Sequence, residues 1–282
     1  MNYRHAFHAG NFADVVKHVV LVRILMHLRA KPAAFRVIDT HAGAGRYDLT
    51  GPEASRTQEW RDGIGRIAAA HFAPEVEALL APYRAAIARC NHGALTVYPG
   101  SSEIVRGQLR AQDRLVACEL EPGAAHMLAR HLGRDSRAKT VTIDGWTALT
   151  AYVPPKERRG LVLVDPAFEQ ADEFARLADR FAAAYRKWPT GAYVLWYPVK
   201  SRHEPDDLAR RLQQLGIAKL LRAELAVTAA RGSDRLAASG LIVANPPWTL
   251  ERELGLLLPP LAAALARDQD AGFRLDWLTG EK

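Results

Sequence analysis

The sequence predicts a doubly wound α/β fold: a parallel sheet of about seven strands with crossover helices and a small helical insertion. Two observations carry this. Short apolar, β-branched runs bounded by turn residues alternate with amphipathic stretches, as strands do with crossover helices. One interval breaks the alternation. Some 75 residues separate the first strand from the second, where a crossover with its helix needs only about 30.

Taken in chain order, Asn11 is placed to cap a helix with Asp14 in its first turn. Phe12, Val15, Val16, Val19, Val22 and Met26 then fall on roughly one face. The strand runs are residues 35–39, 115–119, 140–144, 161–165, 192–197, 220–227 and 241–244, with helical stretches at 122–132, 170–188 and 206–215. The surplus between the first two strands holds helical patterns at 57–70 and 74–89. The expected organisation is a main domain of residues 1–49 and 98–282, with residues 50–97 an inserted helical subdomain.

Of the 282 residues, 49% are apolar and 24% charged, the balance of a soluble globular chain. The longest apolar run, residues 254–266, contains Pro259 and Pro260 and is too short to cross a bilayer. The N-terminus lacks the apolar core of a signal peptide. Cys90 and Cys118 form no metal-type or redox-type pair, which fits a cytoplasmic location. The net charge is +7, and seven cations against Asp14 and Asp39 put +5 of it before Tyr47, with five of the ten histidines. An anionic partner and a basic surface kept for solubility explain that equally well.

The first strand runs into Asp39-Thr40-His41-Ala42-Gly43-Ala44-Gly45. Glycines at a strand's C-terminal end let a nucleotide-like ligand approach the backbone. Asp48 stands where a dinucleotide fingerprint needs its third glycine, which disfavours pyrophosphate. Asp39, Glu119, Asp144 and Asp165 each close a strand run. One acidic strand end is commonly a helix cap; four in corresponding positions mark a ligand edge. Glu119 is placed to accept ribose hydroxyls, and Asp144 with Gly145 to receive an adenine amino group.

Asp165-Pro166-Ala167-Phe168 is close to the D-P-P-Y/F tetrad of methyltransferases acting on planar amino groups. Such an amine delocalises its lone pair into its ring. A carboxylate (Asp165) and a carbonyl (Pro166) that accept its hydrogens let nitrogen become tetrahedral. Phe168 would stack on an extracted base. A rival tetrad, Asn245-Pro246-Pro247-Trp248, matches better by letter but follows the last predicted strand. Asp165 is the catalytic candidate by position, and the Asn245 segment is read as a turn.

On Tyr3-Arg4-His5, Phe7 through Asn11, Lys17-His18, Asp39 through Tyr47, Tyr98 through Ser101, Asp144-Gly145, Trp196 through Pro198 and Asn245 through Trp248, the chain resembles the bacterial 23S rRNA (adenine(2030)-N6)-methyltransferase family over essentially its whole length. The resemblance implies a Rossmann-like methyltransferase sheet with a helical insertion and S-adenosylmethionine as cofactor. It implies cofactor contacts at His18, His41, Ser101, Glu119, Asp144, Gly145 and Asp165, with Asp165 also the proton acceptor. Tyr3 would meet the 23S rRNA substrate, residues 1–11 forming a substrate-contacting segment with Arg4 and His5, and Lys17 and Arg4 would hold phosphates. No metal is expected, and a monomer is. DNA adenine, guanine N2 in RNA, or RNA binding without catalysis are the alternatives; Ala167, in place of the family's second proline, is the hint for the last.

Overall fold

The computed structural model describes residues 4–232 and 235–280. A short turn of helix (His5–Phe7) leads into α1 (Phe12–Arg29). Then come β1 (Arg36–Asp39), β2 (Arg46–Asp48), α2 (Pro52–Thr57), α3 (Arg66–Ala69), α4 (Pro74–Ala88), β3 (Val97–Pro99) and α5 (Ser101–Arg106). Strands and helices next alternate strictly: β4 (Arg114–Glu119), α6 (Pro122–Leu132), β5 (Ala138–Thr142), α7 (Gly145–Ala151), β6 (Gly160–Val164), α8 (Glu173–Lys187), β7 (Ala192–Val199) and α9 (His203–Gln214). The described chain ends with β8 (Leu220–Ala226), β9 (Ala238–Ala244), α10 (Leu250–Leu265) and β10 (Gly272–Thr279).

Among the described residues eight strands make one sheet in the order β10-β8-β9-β7-β6-β1-β4-β5, while β2 and β3 pair separately. The five strands from β7 to β5 are mutually parallel, so Asp39, Glu119 and Asp165 end on one edge. The rest of the sheet departs from the expected parallel order. β9 runs antiparallel between β7 and β8, and β10 adds an antiparallel edge strand. β10 is hidden in the sequence because it is half-exposed and mixes Arg274 and Asp276 with Phe273 and Trp277, so it carries no clean alternation.

Asn11 caps α1, its side chain accepting the Asp14 amide at 3.0 Å. The expected single apolar face is too narrow a description: α1 is buried nearly all round, Asp14, Lys17 and His18 included. It is enclosed by the sheet at β9 and by α4, α5 and α10. The helix expected over 57–70 is broken. Gln58 is left-handed (φ 54°), and Gly63 (φ −106°, ψ −107°) kinks residues 61–65. A Cβ on Gly63 would stand 2.2 Å from the Gly10 carbonyl, which instead accepts the Ile64 amide at 2.8 Å. α10 runs on through Pro259 and Pro260, held by buried Leu254, Leu257, Leu258 and Leu261. No helix among the described residues is long and apolar enough to cross a membrane.

Candidate active site

A cleft of about 1830 Å³ lies along the C-terminal ends of the parallel strands. Small-molecule sites run to about 300–1,000 Å³, so this one has room for a cofactor and a second ligand together.

One part is built on the turn after β1. Gly43 (φ 59°) and Gly45 (φ 80°) are left-handed, and a Cβ on Gly43 would stand 2.0 Å from the Tyr47 hydroxyl. Glu119 accepts the Gly43 amide at 2.9 Å on one oxygen and the Glu121 amide at 2.8 Å on the other. Each oxygen keeps a further lone pair for a ligand. Asp144 caps α7, accepting the Thr147 amide and hydroxyl at 2.8 Å. Gly145 sits against His41: a Cβ there would be 2.4 Å from His41 Nε2 and 2.5 Å from the Thr40 carbonyl. Thr40 Oγ1 donates to the Leu163 carbonyl, so at 2.8 Å from it His41 Nδ1 is the donor, leaving Nε2 an acceptor. Burial lowers His41 to about 4, which keeps the ring neutral.

Among the buried polar atoms at this end without a protein partner among the described residues are His18 Nε2, Asp39 Oδ1 and Ser102 Oγ. His18 Nδ1 is 2.8 Å from the Tyr98 hydroxyl, itself 3.1 Å from that of Tyr83, and burial lowers His18 to about 3. Ser101 donates to Asp39 Oδ2 at 2.6 Å, while burial raises Asp39 to about 7. An unsatisfied buried polar atom calls for a partner such as a ligand, a water or an ion. The left-handed glycines and these orphaned atoms fit a polar, nucleoside-bearing cofactor.

The other part follows β6. Asp165 Oδ2 accepts from Lys17 Nζ at 2.5 Å, and Lys17 is 2.8 Å from Asp14 Oδ1. Asp14 Oδ2 in turn meets the Gly10 amide and His5 Nε2, both at 2.9 Å. Burial opposes charge on Lys17, but Asp14 and Asp165 outweigh it and hold the ammonium well above its ordinary value. Lys17 is therefore not the phosphate contact expected from the sequence. Its side chain is 5% exposed and already shared between two carboxylates, out of reach of an RNA backbone. The one signal of this in the sequence is the Asp14–Lys17 spacing of three on a single helix, which pairs the two side chains.

Pro166, Ala167 and Phe168 continue the wall of the cleft. Phe168 is left-handed (φ 54°), its ring 4.7 Å from Phe174 and 5.7 Å from Trp196. His5 packs edge-on against Tyr47 (4.9 Å), and exposed Arg4 pairs with Glu53 at 2.6 Å. Both line the cleft. Tyr3 lies outside the described residues. The cleft thus gathers His18, His41, Ser101, Glu119, Asp144, Gly145, Asp165, Pro166 and Phe168. The rival tetrad is elsewhere. Because β9 is antiparallel, Asn245 emerges on the opposite edge, its side-chain amide donating to the Pro189 and Gly191 carbonyls at 2.8 Å.

Residues 32–279 match the family model described as ribosomal RNA large subunit methyltransferase D, RlmJ. The ribosomal RNA large subunit methyltransferases J of Haemophilus influenzae and Escherichia coli are 38% and 40% identical to this chain, each alignment spanning 100% of both sequences. The crystal structure of protein LPL1258 from Legionella pneumophila is similar with a TM-score of 0.86 and 31% identity, covering 96% of this chain and 98% of that one.

Proposed function

The chain belongs to the RlmJ family of ribosomal RNA large subunit methyltransferases, and from that premise we propose that it methylates N6 of one adenine in 23S ribosomal RNA. Its cofactor is S-adenosylmethionine, which when bound supplies an electrophilic methyl group. Glu119 would hold the ribose hydroxyls, and Asp144, Gly145 and His41 would line the adenine end. His18 and Ser101 would complete the polar contacts with the atoms they leave free.

The observation that carries this reading is the Asp165 carboxylate. It stands at the end of the strand beside β1, next to the glycine turn, and a buried ammonium fixes it there. Asp165 and the Pro166 carbonyl accept the two amine hydrogens and turn the nitrogen lone pair out of the ring plane. Phe168, backed by Phe174 and Trp196, supports the flat face of the base. The proton released passes to Asp165 or to water, without a metal. Arg4 and His5 flank the entrance and act on the substrate, with Tyr3.

Residues 50–97 form an insertion in this reading, supported by the pairing of Arg46–Asp48 with Val97–Pro99 across its ends. A cytoplasmic location is supported by the free thiols Cys90 and Cys118. The test is to map N6-methyladenine in the ribosomal RNA of a strain lacking the protein and to restore it with purified enzyme. An unchanged map, or transfer to DNA in preference to RNA, would overturn the reading.

A further inference from the structure

Most cations that line the cleft are already neutralised. Lys17 lies between two carboxylates, Arg4 pairs with Glu53, Arg46 with Glu103 and Arg176 with Asp172. Arg267, also exposed and without an ion pair or side-chain hydrogen bond among the described residues, is instead stacked over the Phe12 ring at 5.5 Å. Lys200 and Arg235 differ. Both are exposed, both line the cleft, and neither side chain has an ion-pair or hydrogen-bond partner among the described residues.

The backbone puts them together. Lys200 directly follows β7, which carries Trp196 and Pro198 into the cleft, and Arg235 lies on the β8–β9 connection. Because β8 runs in the direction of β7, that connection returns to the ligand edge. It is tied there by the Ala237 amide on the Val199 carbonyl (3.0 Å) and the Gly232 amide on the Lys200 carbonyl (3.1 Å). Two cations with no counter-ion among the described residues therefore share one hydrogen-bonded platform beside the aromatic wall. Free cations next to a base-accepting site neutralise the phosphates that flank the base, fixing register without reading sequence.

We propose that Lys200 and Arg235 form a phosphate clamp that holds the RNA backbone beside the extruded adenine. The proposal rests on the RNA-methylation reading above. Lys200 supplies a point charge, and Arg235 a planar fork that can take two phosphate oxygens.

The test compares four proteins on a 23S rRNA fragment: wild type, Lys200→Ala/Arg235→Ala, the charge-preserving Lys200→Arg/Arg235→Lys, and Arg252→Ala, an exposed cation on α10 outside the cleft. The alanine pair should raise KM for RNA about tenfold and leave kcat at saturating RNA within about twofold. It should also flatten the slope of log K against log salt by about 1.4–1.8, or 0.7–0.9 for each phosphate that is no longer neutralised. The charge-preserving pair should restore most of both, and calorimetric affinity for S-adenosylmethionine should not move. An alanine pair that behaves like Arg252→Ala overturns the clamp. So does a fall in kcat with KM unchanged, which would make the pair part of the catalytic geometry. If the wild type binds the fragment without methylating it, the functional reading fails, and the slope difference still decides the clamp.

Discussion

Lys17 holds in place, through an ion pair, the Asp165 carboxylate that is proposed to orient the amine. The pair is one end of a buried chain, His5–Asp14–Lys17–Asp165. Removing the ammonium in Lys17→Met leaves Asp165 without its cation and Asp14 with only His5 and the Gly10 amide, a change that costs about 3–5 kcal/mol for a buried pair. The variant should melt at a markedly lower temperature and lose transfer. Asp165→Asn removes only the acceptor charge; it should keep its fold while turnover falls by about 10²–10³-fold. Wild-type turnover in Asp165→Asn would end the catalytic assignment. Titration behaviour is a second handle. Burial raises Asp39 from 3.8 to about 7, so its contribution to stability is full below pH 3.8 and is lost as pH rises through 7. Burial lowers His18 and His41 from 6.5 to about 3 and about 4, so theirs is full above pH 6.5 and is lost as pH falls through those values. Between roughly pH 7 and pH 4 the two effects oppose each other. Asp39→Asn removes one of them, and its melting temperature should fall more steeply on acidification than that of the wild type. Parallel melting curves would show that Asp39 is ionised in the folded protein.

Elements matter here through what they place at the strand ends. The start of α7 approaches the β1 turn so closely that only a glycine fits at position 145, with backbone on one side and the His41 ring on the other. Gly145→Ala should push the turn out of register and weaken S-adenosylmethionine binding by at least about tenfold, or 1.4 kcal/mol. Unchanged calorimetric affinity would show that the turn yields without consequence. Asn245 offers the contrasting case. It ends β9 on the far edge in a left-handed conformation (φ 50°) and ties β9 to the loop before β7. Asn245→Ala should lower stability by about 1–3 kcal/mol, the loss of two hydrogen bonds, in denaturant unfolding. Its turnover should stay near wild type; a loss of activity without a loss of stability would return the second tetrad to the site.

At the scale of the molecule, α1 joins the helices of residues 52–88 to the sheet. Val76, Leu80 and Tyr83 of α4 belong to the same buried cluster as α1 residues Val15 to Leu25 and as β1. Shared packing of this kind makes parts unfold together. Heating should therefore give one cooperative transition, with no separate melting of residues 50–97. Saturation with S-adenosylmethionine at about a hundred times its dissociation constant should add about 2.7 kcal/mol. For a chain of this size that corresponds to a rise of roughly 5 °C. Two calorimetric peaks, only one of them moved by the cofactor, would show that the insertion is a unit of its own.

The sequence by itself determined what is encoded locally. The Asn11 cap, the alternation of strands and helices, the acidic residues closing β1, β4 and β6, and the glycines after β1 each depend on neighbours within a few positions. These suffice to prefer Asp165 to Asn245 and to assign Glu119 to the ligand edge. The tertiary structure alone decided what depends on distant partners. A lysine on a helix reads as a surface cation until a carboxylate 148 residues away is brought to it. Gly63 reads as a tolerated helix residue until the Gly10 carbonyl arrives against it. The direction of β9 leaves no mark on its own residues, because a fully buried strand is apolar whichever way it runs. Yet that direction sends Asn245 to one edge of the sheet and Arg235 to the other.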